Sequence, residues 1–363
     1  LFLRGALPYP GRLRLGAHLV RAYQRSGLQK LVRKPGVHRL LPRPLAELEA
    51  QLPVMGGHFF GPTRRVYRAQ GERKLTVGLL SGCVMPLMQG STMRAAVRVL
   101  TRNGCDVLVP VGQGCCGALN LHSGDLEFGR RMARRNIDVF LAAGVDRIVV
   151  ASAGCSAAMK EYLELLKDDP HYAEKARRFS QVTVDITELL VSLPFDPPKP
   201  PSREENPPLP ADPPPKPPGI PSVPPLIKGG VGGFGLPQRV TYQDPCHLAH
   251  AQRITAAPRT ILKSIPGLEL VEMENAAMCC GGAGIYWMVQ QELSRKILDR
   301  KLEAIAAAGA EAVVTANPGC VLQIEQGLSR RGIHGKVWHV VDLLDRAYQA
   351  EGNRGGSASA DRL

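Results

Sequence analysis

Eight of the nine cysteines fall into two quartets of one pattern, and four thiolates at matched spacing form a ligand set for a metal ion or an inorganic cluster. In the first quartet Cys83 stands alone in SGCV, Cys115 and Cys116 are adjacent in QGCCGA, and Cys155 is single in SAGC. The second repeats it, with Cys246 in DPCHLAH, Cys279 and Cys280 in MCCGGAG, and Cys320 in TANPGC. Equivalent positions lie 163, 164 and 165 residues apart, a drift small enough to mark an internal duplication. Cys105 is left over and reads as a buried small hydrophobe.

Zinc and an iron–sulfur cluster both suit four thiolates. Structural zinc sites usually carry short C-x-x-C knuckles, which are missing here, whereas an adjacent pair with partners tens of residues away suits a polynuclear centre. Glycines flank the cysteines (Gly82, Gly114, Gly117, Gly154, Gly281, Gly282, Gly284, Gly319) and let backbone approach a bulky group. A set of buried hydrophobes that bind nothing would not explain a repeated spacing. His247 and His250 read as packing or orienting groups beside Cys246, and His18 and His38 as ordinary histidines.

The elements that must position these thiols alternate in type. KLTVGLL, CDVLVPV, DRIVVAS and VTVDI read as strands, separated by helices over MRAAVRVLTRNG, RRMARRNIDVFLAAG and SAAMKEYLELL. The second half repeats the scheme. Strands RVTYQDP, LELVEM, EAVVTAN and KVWHVVD alternate with helices PRTILKSIPG, WMVQQELSRKILDRKLEAIAAAG and VLQIEQGLSRRG before a terminal helix. This is an α/β chain with two tandem, duplicated parallel-sheet domains. Every quartet position falls just past a predicted strand, at the sheet edge where ligand sites gather. The expected boundaries are a basic helical segment at 1–73, a first cysteine-rich domain at 74–193 and a linker or insert at 194–237. A second cysteine-rich domain follows at 238–348 and a disordered tail at 349–363. Residues 194–225 of the linker hold 16 of the 31 prolines and GGVGGFG follows at 229–235, a spacer composition and not a phosphate loop.

The 363 residues are 44% hydrophobic and 21% charged, which describes a globular chain that needs no disulfide staples. No run of eighteen apolar residues and no secretory signal occur, so the expected location is the cytoplasm with reduced cysteines. The net charge of +14 is concentrated in residues 1–74, where 15 Lys and Arg face three Glu. That segment suits a protein partner or a peripheral contact with the inner membrane face. No nucleic-acid-binding motif accompanies the charge.

The quartets, with TYQDPCHLAH, PRTILKSIPGLEL, CCGGAGIY and ANPGCVLQI, resemble the cysteine-rich CCG-domain family, in particular the iron–sulfur subunit of glycolate oxidase (glycolate dehydrogenase). The resemblance implies Rossmann-like CCG domains holding iron–sulfur clusters, [4Fe–4S] in type. Their ligands would be Cys83, Cys115, Cys116 and Cys155, and Cys246, Cys279, Cys280 and Cys320. It also implies partner flavoprotein subunits that alone carry FAD and oxidise a 2-hydroxy acid, glycolate first, while this chain passes electrons onward. Family members begin with a ferredoxin-like domain bearing two C-x2-C-x2-C-x3-C-P runs; none occurs here and the chain opens at Leu1, which implies a fragment. Heterodisulfide reductase relatives extend the pattern with a C-x2-C, whereas Ala158 and Gln323 stand at those positions. A heterodisulfide-reductase-like thiol–disulfide enzyme is therefore the alternative activity, and a zinc-bound or metal-free scaffold fragment is the alternative from another class. No flavin motif, catalytic His–Asp pairing or carboxylate-binding arginine cluster is evident, so the chain is not expected to be catalytic alone.

Overall fold

Short apolar strands followed by amphipathic helices have few ways to bury both faces of a sheet, and the computed structural model adopts the commonest. It describes residues 2–38, 59–199, 236–333 and 336–352, with scattered positions between 41 and 55. The chain divides into two compact units, Leu1–Val184 and Asp185–Leu363.

The first unit opens with short helices at Phe2–Gly5, Leu28–Val32 and Pro35–His38 around the longer α1 (Pro10–Arg25), which starts on proline where a missing N–H costs nothing. Arg4 reaches both carboxylate oxygens of Asp125, at 2.7 and 2.8 Å, and ties the opening helix to the α/β body. Then come β1 (Thr63–Tyr67), β2 (Leu75–Leu79), α2 (Gly90–Arg102), β3 (Cys105–Val109) and α3 (Leu126–Ala142). The unit continues through β4 (Arg147–Val150), α4 (Ala153–Lys160) and α5 (Ala173–Val182) to β5 (Thr183–Asp185). The strand order is β1-β3-β2-β4-β5, with β2 parallel to both β3 and β4. Val77, Leu79, Val107, Val109, Ile148 and Val149 are wholly buried in the sheet. Against one face, Phe179 stacks on Tyr162 (5.3 Å between centroids) and meets Phe140 edge-on (6.2 Å).

The second unit starts with α6 (Ile186–Ser192), which packs with α7 (Ala256–Lys263). Asp185 caps α6: its buried carboxylate accepts from Thr187 N–H (2.9 Å) and O–H (2.6 Å), while Glu188 accepts from the Asp185 N–H (3.3 Å). Asp185→Ala is expected to cost about 1 kcal/mol or more by denaturant unfolding, with Asp185→Asn recovering most of it. The unit's body comprises β6 (Arg239–Tyr242), α7, β7 (Glu269–Val271), α8 (Gln291–Ala307), β8 (Ala312–Thr315), α9 (Pro318–Arg330), β9 (Val337–His339) and α10 (Val340–Gly352). All four strands are parallel, in the order β7-β6-β8-β9. The duplication is therefore visible in topology, because β3-β2-β4 and β7-β6-β8 run in the same order. In both, the first parallel strand lies between the next two, which creates a topological switch point at the carboxyl edge.

Four expectations shift. β1 falls inside the segment expected to be helical and adds an antiparallel strand to β3, with a bulge between Thr63 and Val66. The helix expected over 287–309 is two pieces, Tyr286–Val289 and α8, because Gln290 leaves helical geometry (φ −127°, ψ 54°). Helices α5 and α6 had no counterpart in the strand–helix pattern. Finally, α10 runs through Gly352, past residue 349 where a tail was expected. Most of the proline-rich linker and residues 353–363 lie outside the described residues. No helix among those described is long and apolar enough to cross a membrane.

Candidate metal centres

The strand-to-helix turns bring each quartet to one sheet edge. Cys83 follows β2, Cys115 and Cys116 lie in the loop after β3, and Cys155 sits in the first turn of α4 after β4. In the second unit Cys246 follows β6 and opens a π-helical turn (His247–Ala251), the Cys279–Cys280 pair follows β7, and Cys320 sits in the first turn of α9. All nine cysteines are free thiols.

Within each unit the four thiols touch in sequence. Cys83 hydrogen-bonds Cys115, Cys115 bonds Cys116, and Cys116 bonds Cys155. Cys246 likewise meets Cys279, Cys279 meets Cys280, and Cys280 donates to Cys320 at 3.4 Å. Proton affinity differs sharply between bonded neighbours. Cys115 is held well below its ordinary value because it accepts from Cys116 and Cys83, and Cys279 is lowered likewise by Cys246 and Cys280. Their neighbours Cys83, Cys116, Cys246 and Cys280 are pushed up by those same bonds and by burial. Among the described residues no three Cys, His, Asp or Glu already converge as ligands of a single ion.

Backbone and side-chain donors also point at sulfur. Gly117 N–H approaches Cys115 Sγ (3.5 Å), Gly281 N–H approaches Cys279 Sγ (3.3 Å), and Asn317 Nδ2 donates to Cys320 Sγ (3.4 Å). Four soft donors per unit, with N–H groups turned toward them, fit a thiolate-held centre. Gly281 must be glycine: its φ is +84°, and a Cβ there would lie 2.5 Å from the Ser294 carbonyl oxygen.

A second tier of polar groups holds the loops. In the first unit Asn136 on α3 accepts from Gly114 N–H (3.0 Å) and donates to the Cys115 carbonyl (2.9 Å). Tyr162 O–H donates to the Cys116 carbonyl (2.6 Å), and Gln113 accepts from Ser81 N–H (2.7 Å), joining two of the loops. In the second unit Ser294 donates to the Gly281 carbonyl (2.8 Å) and is bonded by Gln323 (3.0 Å). Lys301 donates to the Asn275 and Ala276 carbonyls (2.8 and 3.1 Å). Arg259 grips both oxygens of Asp244 at 2.8 Å and also Glu272, while Asp244 N–H donates to the Ala276 carbonyl (3.1 Å). That network fixes the Cys246 loop against the loop that precedes the cysteine pair.

Of these supporting groups the sequence singled out only Gln323, as a departure from the C-x2-C pattern, although the duplication offset could have exposed Asn136 and Lys301, 165 residues apart like Cys155 and Cys320. The remaining candidates fall where expected. Cys105 is wholly buried at the start of β3, outside the quartet, and burial pushes its thiol up to about 11. His247 Nδ1 lies 3.6 Å from Cys246 Sγ, His250 contacts the Ala277 carbonyl (3.0 Å), and His18 packs on Phe59.

Two copies of one α/β unit, each gathering four thiols at the carboxyl edge of its sheet, define a duplicated cysteine-rich protein. Comparison with known proteins agrees. Residues 77–160 and 240–325 match the cysteine-rich domain family CCG, and residues 1–52 match the linker region of the glycolate oxidase iron-sulfur subunit. The chain is 40% identical over 348 residues to the probable glycolate oxidase iron-sulfur subunit of Bacillus subtilis, covering 96% of this chain and 71% of that one. It is 31% identical over 338 residues to the glycolate oxidase iron-sulfur subunit of Escherichia coli (90% and 72% covered). A fumarate reductase (CoM/CoB) subunit of Methanothermobacter marburgensis is 30% identical over 312 residues (86% and 53% covered). The chain belongs to the glycolate oxidase iron-sulfur subunit family, whose relatives are subunits of oxidoreductases.

Proposed function

We propose that this chain is the electron-transfer subunit of a flavin-dependent 2-hydroxy-acid dehydrogenase that converts glycolate to glyoxylate. The observation that carries the reading is the pair of cysteine quartets, each lying within one unit, in a chain 40% identical to a probable glycolate oxidase iron-sulfur subunit. Cys83, Cys115, Cys116 and Cys155 would hold one cluster, and Cys246, Cys279, Cys280 and Cys320 the other. A [4Fe–4S] centre supplies one-electron transfer when bound. The chain's own residues do the rest. Buried Cys115, Cys116, Cys280 and Cys320 keep water from the sulfurs, Asn136, Tyr162 and Ser294 fix the loop carbonyls, and glycine N–H groups donate toward the thiolates. FAD and the substrate site would reside on partner flavoprotein subunits, to which the basic N-terminal segment offers a complementary charge.

The test is anaerobic purification followed by assay of iron, zinc and acid-labile sulfide, then EPR of the reduced sample. Roughly four irons and four sulfides per quartet are expected, as for a cysteine-held [4Fe–4S] centre. Glycolate should reduce the clusters only when the flavoprotein subunits are added. Zinc without sulfide, or glycolate turnover by the isolated chain, would sink the proposal.

A further inference from the structure

We propose that Lys301 sets the order in which the two centres accept electrons, making the second centre the easier to reduce. This rests on the clusters assigned above.

The two units offer an internal control for what surrounds each quartet. A Cβ added to Gly117 would meet Gly129 on α3, and one added to Gly281 would meet Ser294 on α8, so the two helices cross their cysteine loops at equivalent points. Carried along the helices, that register pairs Ala133 with Leu298, Asn136 with Lys301 and Ile137 with Leu302, and all six are buried. Apolar residues match apolar ones, and the remaining pair differs in charge. At the first centre a neutral amide, wholly buried, hydrogen-bonds the cysteine-pair backbone at Gly114 and Cys115. At the second, an equally buried ammonium donates to two carbonyls just ahead of the pair.

A buried ammonium bonded only to neutral carbonyls is an expensive choice unless an anion lies close. Asp244 also acts on Lys301, but it is engaged by Arg259, which Glu272 shares. The other groups acting on Lys301 are the sulfurs of Cys280, Cys320 and Cys279, which all carry negative charge as cluster ligands. Burial pulls the ammonium down from its ordinary value and those thiolates push it back up, so the charge and the sulfur ligands support each other. His247, beside Cys246 and Cys279, and His250, on the Ala277 carbonyl, are further basic side chains at this site, and the Arg259 guanidinium is engaged by Asp244 and Glu272. Near the first quartet Arg135 packs over Gly114 but is exposed, where water and salt screen it.

Reduction adds one negative charge to a cluster. A fixed positive charge in a low-dielectric surrounding stabilises the reduced form more than the oxidised form and raises the potential of that centre. Electrons entering the chain therefore settle on the second centre before the first.

The experiment is an EPR-monitored reductive titration of the anaerobically loaded full chain, with Cys83→Ser and Cys246→Ser variants assigning the signals. In the parent chain, the signal appearing first as the potential is lowered should be the one missing from Cys246→Ser. Lys301→Gln should move that midpoint to more negative potential and leave the other in place, with Lys301→Arg keeping it near the parent value. The parent titration decides the matter even if a Lys301 variant does not fold. Simultaneous reduction, or earlier reduction of the first centre, overturns the inference and leaves the cluster assignment standing. Two loaded centres with an unmoved midpoint in Lys301→Gln also overturn it. Absence of iron and sulfide overturns both readings.

Discussion

Alanine in place of Cys115, Cys116, Cys280 or Cys320 is expected to remove about half of the iron and sulfide from the anaerobically purified chain, a fall from roughly eight irons to roughly four. The expectation follows from each quartet lying wholly within one compact unit, so that loss of one thiol disables one centre and leaves the other loaded. Cys105→Ala is the matched control. Its thiol is buried like those of Cys115, Cys116, Cys280 and Cys320, but it sits in the core of β3 and its pKa is raised mainly by burial. That variant should lose stability of about 1 kcal/mol, the cost of a small core truncation, with iron unchanged. Iron and sulfide assays on the purified variants read this directly. Equal iron loss from Cys105→Ala and from the quartet variants would show that packing, not ligation, had been disturbed.

A glycine beside the second cysteine pair should prove nearly as sensitive as the thiols. Gly281→Ala is expected to destabilise the chain by roughly 2–4 kcal/mol, combining the cost of a side chain at positive φ with a forced shift of the α8 backbone. The clash is with a carbonyl oxygen, 2.5 Å from the new Cβ, and that carbonyl belongs to Ser294, whose hydroxyl already bonds Gly281. Gly117→Ala provides the comparison. Its φ is the same +84°, but the new Cβ would first meet the flexible end of Met132 at 3.4 Å, then the Gly129 backbone at 3.6 Å. Only the conformational cost, about 1–2 kcal/mol, should appear there. Denaturant unfolding of the two variants measures the difference, and equal losses would mean that α8 yields to the added carbon.

Strand–helix alternation carried most of the architecture. The apolar runs KLTVGLL, CDVLVPV and EAVVTAN contain strands flanked by helices with one apolar face, and the quartets fall at the carboxyl edge as that alternation requires. β1 escaped because Arg64 and Arg65 interrupt TRRVY, whose place in the sheet depends on pairing with β3, a long-range contact that local pattern does not contain. α5 escaped because AEKARRFSQV buries only Ala176, Phe179 and Ser180 and otherwise reads as a polar stretch. The break at Gln290 was hidden inside a continuous helical pattern. The thiols were legible because cysteine is scarce and its spacing repeated. Asn136, Ser294 and Lys301 were not, since a single polar residue on an otherwise apolar helix face shows its purpose only when the loop it touches is in view.

The antiparallel strand β1 bears on how copies of this chain behave beside one another. A parallel sheet ending at β3 would present Val107 and Val109 on an open ladder of N–H and C=O groups, a template for any extended segment. β1 fills that ladder from within the same polypeptide, pairing Tyr67 with Val107 and Thr63 with Val109. Arg64 and Arg65 stay exposed on the new rim, and the bulge between Thr63 and Val66 interrupts its register. An incoming strand would meet two cations on an uneven border, so polymerisation of neighbouring molecules through this side of the sheet is closed off.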